Sequence, residues 1–414
     1  MGGKKKPFPK KQIPKDRGFN NVTLAVTMTL SATHNSTRTI QTSVEIAHKL
    51  ERMRNALDET GAIGIRLRGT DWFSWATAGA CHTVLLAAET GVAEVLVTHD
   101  GAWILTSEIE AQRFKDEELP DRADLAGGYE LFVHPWINSK FQDSFIAEVT
   151  HGGTVLSDKP ADTASDRPGE SPLPASLIHH KRVMLPAELE RYRQVGRLAS
   201  EAMTEVLFQA QPDWTEYQLA GAGANALWTR GLHPALTLAA GERRLPLYRH
   251  PTPTQEPIGR IAMLVFCARG YGLYANLTRF VCFGSLSAEE ANLHQQVRDV
   301  EAATLDACRA GTPLSEVYGA IAQSYKQQGH SQAIREHHQG GTTGYLSREV
   351  IATPTTTDVL ATNMAMAWNP SLVGAKIEDT FVLLDDGSLE NLTFDPNWQA
   401  AEIEGRLRPL PLER

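Results

Sequence analysis

The chain has no run approaching the roughly 18 uninterrupted apolar residues that a helix needs to cross a bilayer, so a membrane-spanning helix is not expected. Cysteine is scarce. Cys81, Cys267, Cys282 and Cys308 are scattered and form no CxxC pair, which argues against a zinc knuckle and against a disulfide framework and fits a reducing cytoplasm. Basic residues are in deficit, 40 Lys and Arg against 49 Asp and Glu, and the net charge of −9 argues against a general binder of nucleic acid. No internal repeat stands out. What remains is a soluble, cytoplasmic composition, 42% hydrophobic and 21% charged, over 414 residues. That length exceeds one ordinary core and predicts two domains of roughly 100–200 residues each.

Residues 1–40 read as a basic, disordered tail. Lys4, Lys5, Lys6, Lys10, Lys11, Lys15 and Arg17 face a single acid, Asp16, within the first 19 residues. The natural start at Met28 is one reading of this stretch. A signal peptide is the weaker one, because Val22–Leu30 is short, Thr-rich and followed by no small-x-small cleavage site. A nucleic-acid arm rests on charge alone, and such tails are usually just solvated.

Residues 43–156 read as a small α/β domain. Val44, Ala47, Leu50, Met53 and Leu57 share one helical face that Gly61 ends, Ala62–Arg68 follows as a strand, and two further strands flank the His99-Asp100-Gly101 turn. Ser107–Glu118 resumes as a helix. Residues 157–175, rich in Pro, Asp, Ser and Gly, read as a linker. Residues 176–400 form the second domain. Its helices are predicted over Pro186–Gln209, Trp214–Arg230 (N-capped by Thr215), Ser287–Ala310 (a Ser287/Glu290 capping box) and Leu314–Gln328. Its strands are predicted over Arg260–Cys267, Leu273–Phe283, Met364–Trp368 and Glu378–Leu384.

Four ordered segments carry a likeness: Asn276-Leu277-Thr278-Arg279 closing a hairpin, Glu336–Gly341, Trp368-Asn369-Pro370-Ser371, and Ile377-Glu378-Asp379-Thr380. Together they resemble the creatinase / aminopeptidase P / prolidase superfamily. The resemblance implies an α+β protein: a C-terminal pita-bread domain preceded by a smaller creatinase-type α/β domain, commonly as a homodimer. It also implies a site. The superfamily's peptidases hold two divalent ions with two Asp, one His and two Glu, and those positions fall here on Cys267, Asn276, His338 (Thr342 in another register), Asn369 and Glu378. Two dications about 3.5 Å apart repel by roughly 19 kcal/mol at an effective dielectric near 20. One Glu and two neutral Asn offset that poorly, so the expectation is a largely dismantled metal site with no cofactor.

The resemblance to creatinase, which cleaves a C–N bond without metal, points to a metal-independent hydrolase or lyase acting on a small polar molecule. His250, His338 and Glu378 are the candidate catalytic groups, imidazole being suited by a pKa near neutrality. His337, Tyr248, Glu336, Asn369 and Asn276 are candidate substrate contacts. Cys267 is a further contact or an alternative nucleophile, against the plainer reading of a small strand cysteine. Arg269 and Arg348 would bring cations to an anionic substrate, whereas Arg279 reads as structural. The glycines Gly340 and Gly341 suggest close approach of backbone to a ligand. By analogy with the superfamily's dimers, Trp72, Trp75 or His82 would reach a partner's pocket, with plain aromatic core as the default. Two alternatives stand beside this reading. One is a single zinc or manganese on Cys267, His338 and Glu378, or an ordinary Xaa-Pro aminopeptidase. The other is an inactive ligand- or partner-binding pseudo-peptidase.

Overall fold

A computed structural model describes residues 29–119, 128–138, 140–161 and 169–414, the first 13 of these by backbone alone. The tail's first 28 residues, and with them the signal-peptide reading, lie outside the described residues. Helix α1 (Thr29–Thr60) starts well before the predicted Val44, within the stretch read as tail. Its periodic face, Ile46, Lys49, Leu50, Met53, Ala56 and Leu57, is buried.

That face packs on a six-stranded sheet of β1 (Gly64–Gly69), β2 (Thr90–Val97), β3 (Ala102–Ser107), β4 (Glu130–His134), β5 (Val155–Ser157) and β6 (Glu170–Pro172), in the order β4-β3-β2-β1-β5-β6. The β2–β3 hairpin forms around the predicted Asp-Gly turn. Asp71–Ala78, an aromatic-rich stretch, lies largely in helix α2 (Thr70–Ala76), all seven residues of which are buried. The Ser107–Glu118 helix reduces to the single turn α3 (Ala111–Arg113) followed by a π turn. Helix α4 (Lys140–Val149) covers the sheet's other face through Ile146. Strand β6 lies inside the stretch read as linker and pairs with β5, so part of that segment is sheet.

Helix α5 (Ala175–Arg182) leads into the second half of the chain. Helix α6 (Pro186–Gln209) matches its predicted span because Pro186 fits the first turn and Glu188 accepts from the Leu185 amide at 2.8 Å. Helix α7 (Glu216–Trp228) is capped by Thr215 as expected. Both pack on one face of the sheet β19-β9-β8-β7, made of β7 (His233–Gly241), β8 (Ile261–Gly270), β9 (Leu273–Cys282) and β19 (Leu412–Glu413).

The second sheet is antiparallel, in the order β11-β10-β12-β15-β16, from β10 (Gly340–Thr343), β11 (Val350–Ile351), β12 (Ala365–Trp368), β15 (Asp379–Leu383) and β16 (Leu389–Asn391). Helices α8 (Ala288–Ala307) and α9 (Leu314–Gln327) back it. A small hairpin, β13 (Ser371–Leu372) and β14 (Ala375–Lys376), projects between β12 and β15, and β17 (Ala400–Ile403) pairs with β18 (Arg406–Pro409).

The two sheets meet where the Thr278 amide donates to the Glu378 carbonyl at 3.0 Å. Behind that seam runs a buried ionic stack. Arg279 donates to Asp379 at 2.7 Å, Arg408 donates to the other Asp379 oxygen at 2.7 Å, and Arg408 also grips both oxygens of Glu301. Two cations and two anions balance, the condition under which buried ion pairs are tolerated.

Removing one member leaves an uncompensated charge. Arg408→Met should therefore cost about 3–5 kcal/mol of unfolding free energy by urea titration. A loss below about 1 kcal/mol would show that the stack is not fully desolvated.

Candidate functional site

Antiparallel pairing places Cys267 directly opposite Asn276, so both project from the same face of the β8–β9 hairpin. Two residues on, Thr278 uses its hydroxyl to reach the Glu378 carboxylate at 3.0 Å. From the facing sheet Thr343 accepts from the Asn276 side-chain amide at 3.1 Å. Thr342 pairs with Met366 and so sits on the helix-packed face; the alternative register for the family histidine, Thr342, does not face this seam.

Glu378 is the centre of the site. Its Oε1 accepts from Arg348 at 2.7 Å, and its Oε2 lies 3.2 Å from the Lys376 ammonium. Burial alone pushes this carboxyl up, but Lys376 and Arg348 outweigh it and hold the group at about 2. Glu378 is therefore ionised, with two cations already occupying its oxygens.

Three histidines gather beside it. The His250 ring lies 5.7 Å from His338 and 6.0 Å from His337. His337 Nε2 meets Ser371 Oγ at 2.7 Å. Burial first, then the charge of Lys376, pushes His337 down to about 3; burial and Arg348 push His338 to about 4. His250 is the most exposed of the three, and its pKa is lowered by partial burial and by Lys376 against the opposing pull of Glu378. All three are neutral bases at pH 7. Within the protein, His338 Nδ1, Asn276 Oδ1 and Asn369 Oδ1 are buried with no partner and so remain available to a ligand. Cys267 keeps part of its surface accessible, but burial and Glu378 push its thiol up to about 12, which removes the thiolate that a nucleophile requires.

The structure thus brings together His250, His337, His338, Glu378, Arg348, Cys267 and Asn276. Asn369 follows Trp368, which pairs with Asp379, and so emerges next to Glu378. Arg269 and Glu336 fall elsewhere, and Tyr248 stands at the rim, beside Ser371 and Lys376. Arg269 lies at the hairpin tip and donates to Thr83 at 2.9 Å. Tyr248 is exposed, with the Arg244 guanidinium 5.1 Å from its ring. Glu336 pairs with Arg249 at 2.8 Å at the edge of a separate groove of about 610 Å³.

Trp72, Trp75 and His82 are buried in their own chain, His82 stacking on Phe73 at 4.0 Å. Gly340 and Gly341 are explained by the sheet rather than by a ligand. A Cβ on Gly340 would collide with the Ala367 carbonyl and one on Gly341 with the Val350 carbonyl, and both glycines have positive φ. Lys376 was missed, although Lys376 and Glu378 stand at the two-residue spacing that puts strand side chains on one face.

Residues 190–385 match the model of metallopeptidase family M24. That match, over a little under half of the chain, is consistent with the likeness to the creatinase / aminopeptidase P / prolidase superfamily. An Xaa-Pro dipeptidase from Bacillus anthracis superposes with a TM-score of 0.70 at 17% identity, covering 89% of this chain and 100% of its own. The prolidase from Pyrococcus horikoshii OT3 gives 0.69 at 16% identity over 84% and 98%. The N-terminal domain of the FACT complex subunit SPT16 from chickpea gives 0.65 at 12% identity over 84% and 96%. No curated protein matches the sequence. At such identities the superpositions establish the pita-bread fold. Among the described residues no helix is long and apolar enough to cross a membrane.

The histidines carry a pH signature. The unfolded chain takes up protons near 6.5, whereas folded His338 and His337 resist them down to about 4 and 3. Their contribution to stability is complete above 6.5 and is lost as pH falls toward those folded values. Urea midpoints should therefore drop between pH 7 and pH 4.5, and His338→Gln should flatten part of that slope. An unchanged slope would mean that His338 titrates freely in the fold.

Proposed function

We propose that this protein is a hydrolase or lyase that cleaves a C–N bond in a small polar substrate without a two-metal centre. The observation that carries this reading is the clamp on Glu378. The positions that the superfamily resemblance assigns to metal ligands hold Cys267, Asn276, His338, Asn369 and Glu378. The one carboxylate among them is neutralised by Arg348 and Lys376, and the thiol is protonated at neutral pH. Among the described residues no three His, Cys, Asp or Glu side chains are grouped to hold a metal ion. A pair of dications would have to displace both cations and would meet one negative charge. We therefore read the residues as unsuited to the group that the family implies, and we route no step through it. A single zinc or manganese would likewise have to displace Arg348 or Lys376 from Glu378.

In this reading neutral His250, at the exposed mouth, takes a proton from the attacking water. His250 then returns that proton to the departing nitrogen, which His338 Nδ1, buried without a partner, holds by a hydrogen bond. Arg348 and Lys376 supply positive charge where the substrate's oxygen becomes negative, the part that a metal otherwise plays. Glu378 holds the two cations at that place. A second reading is favoured by the FACT-subunit neighbour, a chain with this fold that is not named a peptidase: a protein that binds its ligand at the same cluster and leaves it unchanged. We further propose a homodimer, as the superfamily resemblance implies.

The test is turnover of a panel of dipeptides, N-acyl amino acids and guanidino compounds in EDTA. Activity should persist in chelator, and His250→Ala and His338→Ala should each lower kcat by about 10²–10⁴. Turnover that requires added manganese or zinc would overturn the proposal, and saturable binding with no product would establish the second reading.

A further inference from the structure

Buried cations in this chain are, with few exceptions, matched to carboxylates. Lys49 meets Glu45 and Glu188, Lys181 meets Asp71 and Glu349, and Arg408 meets Glu301 and Asp379. Arg269 breaks the pattern. It is 5% exposed, yet among the described residues it has no carboxylate partner, and its side-chain hydrogen bond goes to the neutral Thr83 hydroxyl. A guanidinium has five donors in a fixed fork; here Thr83 takes one, and the Tyr274 ring lies 5.9 Å from the guanidinium carbon. Arg298 also lacks a carboxylate partner, but the cavity beside it has room for about 10 Å³, too little for a ligand.

Arg269 instead lines a cavity of about 270 Å³ at the tip of the β8–β9 hairpin. His233 stands opposite it in the strand pairing, and the His233 Nδ1 is buried with no partner. Arg230, tied to Glu205 at 2.6 Å, adds a second guanidinium to the wall. The remaining lining is Cys81, Gln194, Tyr271, apolar side chains and glycines, with no Asp or Glu. None of the lining residues belongs to the Glu378 cluster.

We propose that this cavity is a binding site for a small oxyanion, a carboxylate or a phosphate group, distinct from the Glu378 site. The Arg269 fork takes two oxygens of the anion, and His233 Nδ1–H donates to one of them. Wall charge of one sign draws the anion in, and the volume, at the small end of ligand pockets, fits a compact acid rather than a peptide.

The experiment follows thermal unfolding of the full chain as inorganic phosphate or acetate is added at constant ionic strength, with chloride as the balancing salt. The expected result is a saturable rise in Tm with at least one of the two. Saturation at lower phosphate identifies a phosphate-bearing ligand, and saturation at lower acetate a carboxylic acid. Arg269→Gln should raise the half-saturating concentration by roughly tenfold to a hundredfold, the loss of a charge-assisted hydrogen bond. His233→Gln, which removes no charge and carries the test should Arg269→Gln fail to fold, should raise it several-fold. A Tm rise that never saturates, or the same half-saturation in wild type and both variants, would overturn the proposal.

Discussion

Glu378 sits at the seam of two sheets with Arg348 on one oxygen and with Lys376 and Thr278 on the other. That arrangement sets the character of the whole site. A buried carboxylate without partners would take up a proton; the two cations keep it ionised, and in return it holds them in a place from which each would otherwise be driven by desolvation. Cys267, Asn276 and the three histidines are then arranged around a fixed net positive charge. This charge, together with burial, explains why the imidazoles are neutral.

The clamp depends on parts of the fold far away in sequence. Arg348 rides on the segment between β10 and β11, and its neighbours tie that segment down. Tyr345 donates to Glu188 at 2.7 Å, and Glu188 also receives the buried Lys49 of α1. Glu349 receives Lys181, which also reaches Asp71 of α2. The hydrophobic core follows the same route, since one cluster joins Leu50 and Ile65 to Tyr192, Tyr345 and Leu392. The first sheet is thereby coupled to the position of the cation that caps Glu378.

Much of this was legible in the sequence. Helices with strong caps, such as Pro186–Gln209 and the one opened by Ser287 and Glu290, emerged within a few residues, because the local signals agree with the tertiary packing. The order of the motifs put Cys267 and Asn276 on one hairpin and offered His250, His338 and Glu378 as candidates; the strand register that pairs Cys267 with Asn276 comes from the fold. What failed was side-chain destination. Whether Arg269 faces the seam or the hairpin tip is decided by Thr83, more than 180 residues earlier in the chain. The role of Gly340 and Gly341 is decided by carbonyls of β12 and of Val350 in β11, and no local pattern reports these. Lys376 alone was within reach of strand periodicity.

In the proposed function Arg348 and Lys376 occupy the electrostatic place of a metal pair. The most direct measurement is metal content by mass spectrometry on untagged protein purified without chelator, followed by titration with manganese and zinc. Far less than one equivalent as purified and no stoichiometric uptake are expected. Two tightly held equivalents would contradict it, and would mean that Glu378 exchanges its cations for metal.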